Sequence, residues 1–209
     1  MVLDCPPILS AGIAAGGAVQ VDRHALALRV TQLDLKDRTT PRGAPCAQHL
    51  TQTLHESSSA AVLDGDEIVY VLRVPAHKIM SINLGVGSRL PAHCSSMGRV
   101  LLAGLPEDER ERRVMAMHLT AKTPKTITDP ERLLSVLGDV RRKGFALVSE
   151  ELELGLMSLA VPVMDRAGRV VAALNVSTQP QRRTATELRE QCLPLLQAVA
   201  RRIGETMAR

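Results

Sequence analysis

The sequence predicts an α+β domain, a largely antiparallel sheet flanked by helices. Three observations predict it. Strand-like runs come first, helical runs follow, and strand-like runs return before a final helix. Asp64-Gly65-Asp66 and Arg166-Ala167-Gly168 are tight-turn signals that join neighbouring runs as hairpins. Helix-start signatures stand at Pro106, at Asp129-Pro130 and at Thr184-Ala185-Thr186-Glu187.

Taken in order, residues 1–45 are rich in Gly, Ala and Pro, with a helix-compatible patch over 21–35 and a turn-rich exit over 39–45. This atypical segment is expected to be poorly structured or a remnant linker, and the folded domain to span 46–209. A short helix is expected over 48–55, then strands over 59–63, 67–74 and 78–84. Alternation in the second strand is only partial, which fits cover on both faces. Residues 85–91 read as a loop. A helix follows from Ser95 to Ala103 and stops at Gly104. The next has Pro106 at its first position, with Glu107, Asp108 and Glu109 complementing the helix dipole. In the third, Asp129 caps, Pro130 opens and basic residues close the last turn before Gly144. Strands are expected over 145–150, 156–165 and 169–178. The last helix opens on a capping box. Its apolar stripe is Leu188, Cys192, Leu195, Val199, Ile203 and Met207, and Pro194 should kink it.

Composition narrows the class. Of 209 residues 45% are apolar, enough for a sizeable core. No run approaches the roughly 18–20 apolar residues of a membrane helix. The small apolar stretch 8–19 follows Asp4 with no Lys or Arg before it, a poor secretory signal. Cys5, Cys46, Cys94 and Cys192 lie far apart without a C-x-x-C pair, so a soluble chain in a reducing cytoplasm is expected. The net charge is +4, yet residues 1–57 hold five basic and five acidic side chains. A nucleic-acid interface needs a concentrated basic stripe, and none is visible.

Chemistry concentrates at Leu90-Pro91-Ala92-His93-Cys94-Ser95-Ser96-Met97-Gly98. Small and hydroxyl residues stand there at a loop-to-helix junction, where unpaired N–H groups carry partial positive charge and suit a carboxylate. An ordinary Ser cap, with Gly98 admitting a neighbouring backbone, is the alternative. Cys94 beside His93 invites a thiol nucleophile, but adjacent side chains rarely face each other and no orienting third group is evident. His55, His77, His93 and His118 lack metal-ligand spacing. No metal or cofactor is expected. Ser158, Asn175 and Ser177 interrupt apolar strands, and the last two share a face. They either satisfy loop backbone or line a polar pocket. Glu150, Glu151 and Glu153 read as a solvated loop or as pocket residues. Arg73, Lys78 and Arg89 are surface cations or partners for an acidic ligand.

Four ordered segments carry a family likeness: 57–71 (SSSAAVLDGDEIVYV), 87–103 (GSRLPAHCSSMGRVLLA), 144–154 (GFALVSEELEL) and 155–177. Together they resemble the effector-binding domain of IclR-type bacterial transcriptional regulators, nearest the branch controlling β-ketoadipate (protocatechuate) catabolism. The likeness covers 46–209. It implies a GAF-like fold with a curved antiparallel sheet, a homodimer or tetramer, and a pocket for a small anionic metabolite. It implies ligand contacts at Cys94, Ser95, Ser96, Met97 and Gly98, facing Ser158, Asn175 and Ser177, and from the residue-level reading Arg89 and Glu151 are added as candidate ligand contacts. Val148 stands where some relatives carry Asp. The family's winged helix-turn-helix, its means of contacting DNA, has no recognisable counterpart in 1–45. The chain is therefore expected to sense a ligand without being an enzyme. A thiol redox enzyme using Cys94 and a module that forms mixed oligomers with full-length regulators are the rival readings.

Overall fold

A computed structural model describes residues 44–76 and 84–206. The expectations for 1–45, apart from its last two residues, for the strand over 78–84 apart from Leu84, and for Met207 lie outside these. Six strands form one antiparallel sheet in the order β3-β2-β1-β6-β5-β4. They are β1 (Ser57–Asp64), β2 (Glu67–Val74), β3 (Arg89–Pro91), β4 (Ala146–Ser149), β5 (Met157–Met164) and β6 (Val170–Thr178). The β1–β2 and β5–β6 hairpins meet at the centre, where β1 pairs with β6. The sheet curls and helices cover it, the expected α+β class.

Helices α1 (Ala44–Leu54) and α6 (Leu193–Thr206) cover one face, with Leu50, Leu188 and Leu196 packed on Leu159, Leu174 and Val176. The other face carries α2 (Ser96–Ala103), α3 (Glu107–Ala116) and α4 (Pro130–Lys143). There Met97, Val100, Leu133 and Leu137 pack on Ala61, Tyr70, Ala160 and Ala173. A fully buried leucine such as Leu133 or Leu137 contributes about 1.5–3 kcal/mol. Small alanines on the sheet let α2 lie close over β1, β5 and β6.

The helix ends follow the sequence signals. Asp129 accepts from the Arg132 amide at 2.6 Å, and Gly144 closes α4 at φ 72°. Thr184 and Glu187 form both bonds of the capping box that opens the one-turn helix α5 (Ala185–Glu187). Pro106 is the cap of α3 and Glu107 its first residue, one step from the expectation.

Three departures have physical causes. The lead-in helix begins at Ala44, before the expected 48, because Ala44, Cys46 and Ala47 extend its buried stripe under the sheet. Part of the expected loop 85–91 is strand: Arg89, Leu90 and Pro91 pair with Val69, Ile68 and Glu67. Pro91 is tolerated there because β3 is an edge strand. The Pro194 distortion takes the form of a π-helical turn over Leu188–Cys192, where the Leu193 amide bonds to the Leu188 carbonyl. The extra residue in that turn moves the buried stripe from Leu195 to Leu196, which is fully buried.

β2 is covered on both faces, as expected. Ile68 and Tyr70 face α2, whereas Val71 and Leu72 join the opposite cluster. The switch occurs at a bulge opposite Ala60 and Ala61. Beyond it, Arg73 pairs with Ser59 and faces the α2 side.

Candidate functional site

The α2 start and the sheet beneath it bring the two polar groupings to one side of the molecule. Ser95 adopts the extended cap conformation, and its Oγ accepts from the Gly98 amide at 3.2 Å. The first bond of the helix backbone here runs from the Arg99 amide to the Ser95 carbonyl. The Ser96 and Met97 amides therefore precede the ladder, with the positive end of the helix behind them. Ser96 Oγ is buried without a hydrogen-bond partner. The Met97 side chain points into the core, so this residue offers its amide rather than its sulfur. Gly98 serves close packing: a Cβ there would lie 2.2 Å from the Ala92 carbonyl oxygen.

On the sheet, antiparallel partners share a face. Arg73, Ser59, Asn175, Ala160 and Ala146 form one row across β2, β1, β6, β5 and β4. Ser57, Ser177, Ser158 and Val148 form the next. Both rows lie on the α2 side, since Ala160 and Ala146 pack in that cluster. Asn175 Nδ2 donates to Ser177 Oγ at 3.2 Å, while Asn175 Oδ1 is buried with no partner. An unmet buried acceptor costs about 1–3 kcal/mol. Ser158, Asn175 and Ser177 thus share one patch, and Ser57 and Ser59 enlarge it.

Two expected pocket residues lie elsewhere in role or place. Arg89 pairs with Val69, whose side chain packs against the opposite cluster, so it projects away from the α2 side. Its guanidinium is held at the edge by Asp64 at 2.8 Å and Glu67 at 2.7 Å. Glu151 is neither solvated nor free. Its Oε2 meets Arg99 at 2.5 Å and accepts from the Ile127 amide at 3.2 Å. A bound anion beside that carboxylate would be repelled.

Arg99 is the residue that sequence reasoning missed. It is 3% exposed and also donates from Nε to the His93 carbonyl at 2.9 Å. The loop before α2 is thereby tied to the loop after β4. Thr123 Oγ1 donates to the Glu150 carbonyl at 2.7 Å, and Thr126 Oγ1 donates to the Glu151 carbonyl at 2.6 Å. His93 Nε2 lies 3.1 Å from the Thr120 carbonyl, closing the ring of contacts. The available signal was a cation inside the apolar run Met97–Leu102, where an unpaired arginine would not be buried.

Burial, with Arg99's charge adding to it, holds His93 below the ordinary value of 6.5, against the pull of the Thr120 carbonyl. The folded chain keeps this ring neutral at a pH where the unfolded chain protonates it. The stability is therefore complete above about 6.5 and declines as pH falls through the lower folded value. Melting temperatures should drop from pH 7.5 to 5.5, and His93→Gln should flatten part of that slope. An unchanged slope in the variant refutes the assignment.

Cys94 is fully buried, and burial pushes its thiol up to about 11, with Arg99 opposing only in part. At neutral pH it is a thiol rather than a thiolate, unsuited to nucleophilic work. Among the described residues no three His, Cys, Asp or Glu side chains gather to hold a metal ion. Nor is any helix among them long and apolar enough to cross a membrane.

Residues 30–205 match the family model "Bacterial transcriptional regulator IclR C-terminal". The Pca regulon regulatory protein of Pseudomonas putida is 42% identical over 158 residues, covering 75% of this chain and 54% of that protein. The chain thus spans about half the length of that curated relative. The crystal structure of a double mutant of the PobR inducer-binding domain from Acinetobacter, a 3-hydroxybenzoic acid complex, superposes with TM-score 0.71 at 34% identity. It covers 77% of this chain and 94% of that one. An IclR homologue from Microbacterium hydrocarbonoxydans, complexed with 4-hydroxybenzoate, gives TM-score 0.71 at 29% identity, covering 88% and 70%. The curated relative and the PobR protein are named as transcriptional regulators. The chain belongs to the IclR family of bacterial transcriptional regulators, and residues 30–205 correspond to the C-terminal, ligand-binding domain of that family.

Proposed function

We propose that this domain senses a small organic acid of aromatic catabolism, bound between the α2 start and the polar rows of β1, β5 and β6. The carboxylate sits at the Ser96 and Met97 amides, with Ser95 and Cys94 forming the adjoining wall. A hydroxyl or other polar group of the ligand reaches Asn175, Ser177 and Ser158. The observation that carries this reading is the buried, unpartnered Asn175 Oδ1. It accepts a hydrogen bond, and a ligand hydroxyl supplies one. The aromatic-acid complexes of two relatives support the ligand class. A ring would rest on aliphatic side chains, because the chain has one Phe, one Tyr and no Trp.

Regulation follows only where the ligand binds one assembly geometry better than another. We therefore expect the acid to alter dimer or tetramer packing and, through it, DNA contact by a winged-helix domain. Titration calorimetry with protocatechuate and β-ketoadipate tests the reading. At least one should bind at or below millimolar concentration, and Asn175→Ala should weaken it about tenfold or more, the worth of one buried hydrogen bond. Silence from both acids at millimolar concentration overturns it. Light scattering with and without the bound acid tests the assembly step.

A further inference from the structure

Three side chains stand next to one another in a single cross-strand row on the α2 side: Arg73 on β2, Ser59 on β1 and Asn175 on β6. Ser59 is 1% exposed and Asn175 3%, while Arg73 is half-buried. Arg73 Nη1 donates to Ser59 Oγ at 3.3 Å, so one lone pair of that hydroxyl is taken from the β2 flank. A cation there repels the hydroxyl proton, which turns to the other flank, where Asn175 lies. Among the described residues that proton meets no acceptor. Ser58, one residue back, faces α1 instead and donates to the Ala47 carbonyl at 3.0 Å. Asn175 Oδ1, on the strand residue directly opposite Ser59, is buried with no donor. Opposed side chains of this kind have Cβ atoms about 4.5–5.5 Å apart. The one bond that Asn175 makes nevertheless runs from Nδ2 to Ser177. An unused donor and an unused acceptor therefore stand side by side, and burial makes each costly to leave so.

We infer that Ser59 is a specificity-determining residue which, together with Asn175, selects a hydroxyl group on the effector, and that Arg73 positions it for this role. This rests on the acid-sensing reading above. A hydroxyl both donates and accepts: it gives its proton to Asn175 Oδ1 and takes one from Ser59 Oγ, closing both unmet groups at once. A keto oxygen or a carboxylate only accepts, and leaves Oδ1 unmet. An aromatic amine donates but accepts poorly, and a halogen or a bare ring carbon supplies no donor. Arg73 touches no part of the effector in this arrangement. It acts through Ser59, by fixing the direction of that proton. The preferred effectors are then hydroxy acids over their amino, halo and unsubstituted counterparts.

The test is calorimetry on the full chain with 3- and 4-hydroxybenzoate against benzoate and the fluoro- and aminobenzoates substituted at the same ring positions. Protocatechuate serves as an independent probe of the cleft. At least one hydroxybenzoate should bind about tenfold or more tightly than its fluoro counterpart, the scale of two modest hydrogen bonds. The matching aminobenzoate should recover only part of that gain. Ser59→Ala should remove about threefold or more of the hydroxyl preference and leave the fluorobenzoate within about twofold. Arg73→Met should lower the same preference, whereas Arg73→Lys, which can still donate to Ser59, should keep most of it. In the Ser59→Ala background Arg73→Met should change the preference no further. Thermal melts check that the variants fold; if one does not, the three ligand series on the unaltered chain still decide Ser59. Equal binding of hydroxy- and fluorobenzoates there, as when a water fills the gap, overturns the hydroxyl selection and leaves the acid cleft standing. An aminobenzoate as tight as the hydroxybenzoate overturns Ser59's share. A uniform loss for every ligand in Arg73→Met overturns its positioning role. Failure of every acid, protocatechuate included, overturns the cleft itself and this selection with it.

Discussion

Arg99→Met is expected to destabilise the domain by about 3–5 kcal/mol, because it leaves the Glu151 carboxylate buried without its cation. Arg99 is 3% exposed and Glu151 9%, so water cannot replace the lost partner cheaply. The Ile127 amide would remain as a donor to Glu151, but the His93 carbonyl would lose its contact with Nε. Urea unfolding should show the loss directly. Adding Glu151→Gln to Arg99→Met should restore part of it, since the neutral pair is less costly to bury than a lone carboxylate. A single-variant loss below about 1 kcal/mol, the range of exposed pairs, would show that the bridge is solvated after all. The same variant should weaken acid binding, because the pair joins the loop before α2 to the loop after β4.

How far the letters go is visible in these residues. Caps were readable because their signals are local: Asp129, Pro130 and Gly144 each act within one turn of their own helix. Hairpins were readable for the same reason. β3 was not, since three residues ending in Pro carry no period and are strand only through pairing with β2. Asn175 and Ser177 were legible as a pair by their spacing, but their proximity to Ser57, Ser59 and Arg73 depends on the β1–β6 register. Nothing local encodes that register. Arg89 and Arg73 looked alike as isolated cations. The β2 bulge and the edge carboxylates separate them, sending Arg73 to the α2 side while Arg89 is spent on Asp64 and Glu67. Arg99 and Glu151 are 52 positions apart, and only the folded chain pairs them.

Gly98→Ala is the second large effect to expect, and it separates packing from ligand contact. The added methyl would meet the Ala92 carbonyl oxygen at 2.2 Å, its Cα at 2.3 Å and its carbonyl carbon at 2.6 Å. All three are backbone atoms, so no side-chain rotation relieves the clash. Either α2 or the loop 91–95 must move. Overpacking of this kind costs about 1–3 kcal/mol, and more where the backbone is the obstacle. Since that loop carries Cys94 and Ser95, the shift should also abolish measurable binding of protocatechuate or β-ketoadipate. Gly138→Ala supplies the control. It is the same substitution inside a helix, but its methyl would meet nothing within 4 Å. There the greater helix propensity of Ala should stabilise by up to about 1 kcal/mol. Opposite signs at the two positions would locate the requirement in the contact between α2 and Ala92. A neutral Gly98→Ala with intact binding would mean that α2 is free to withdraw from the loop, and that its amides are not held in place for a carboxylate.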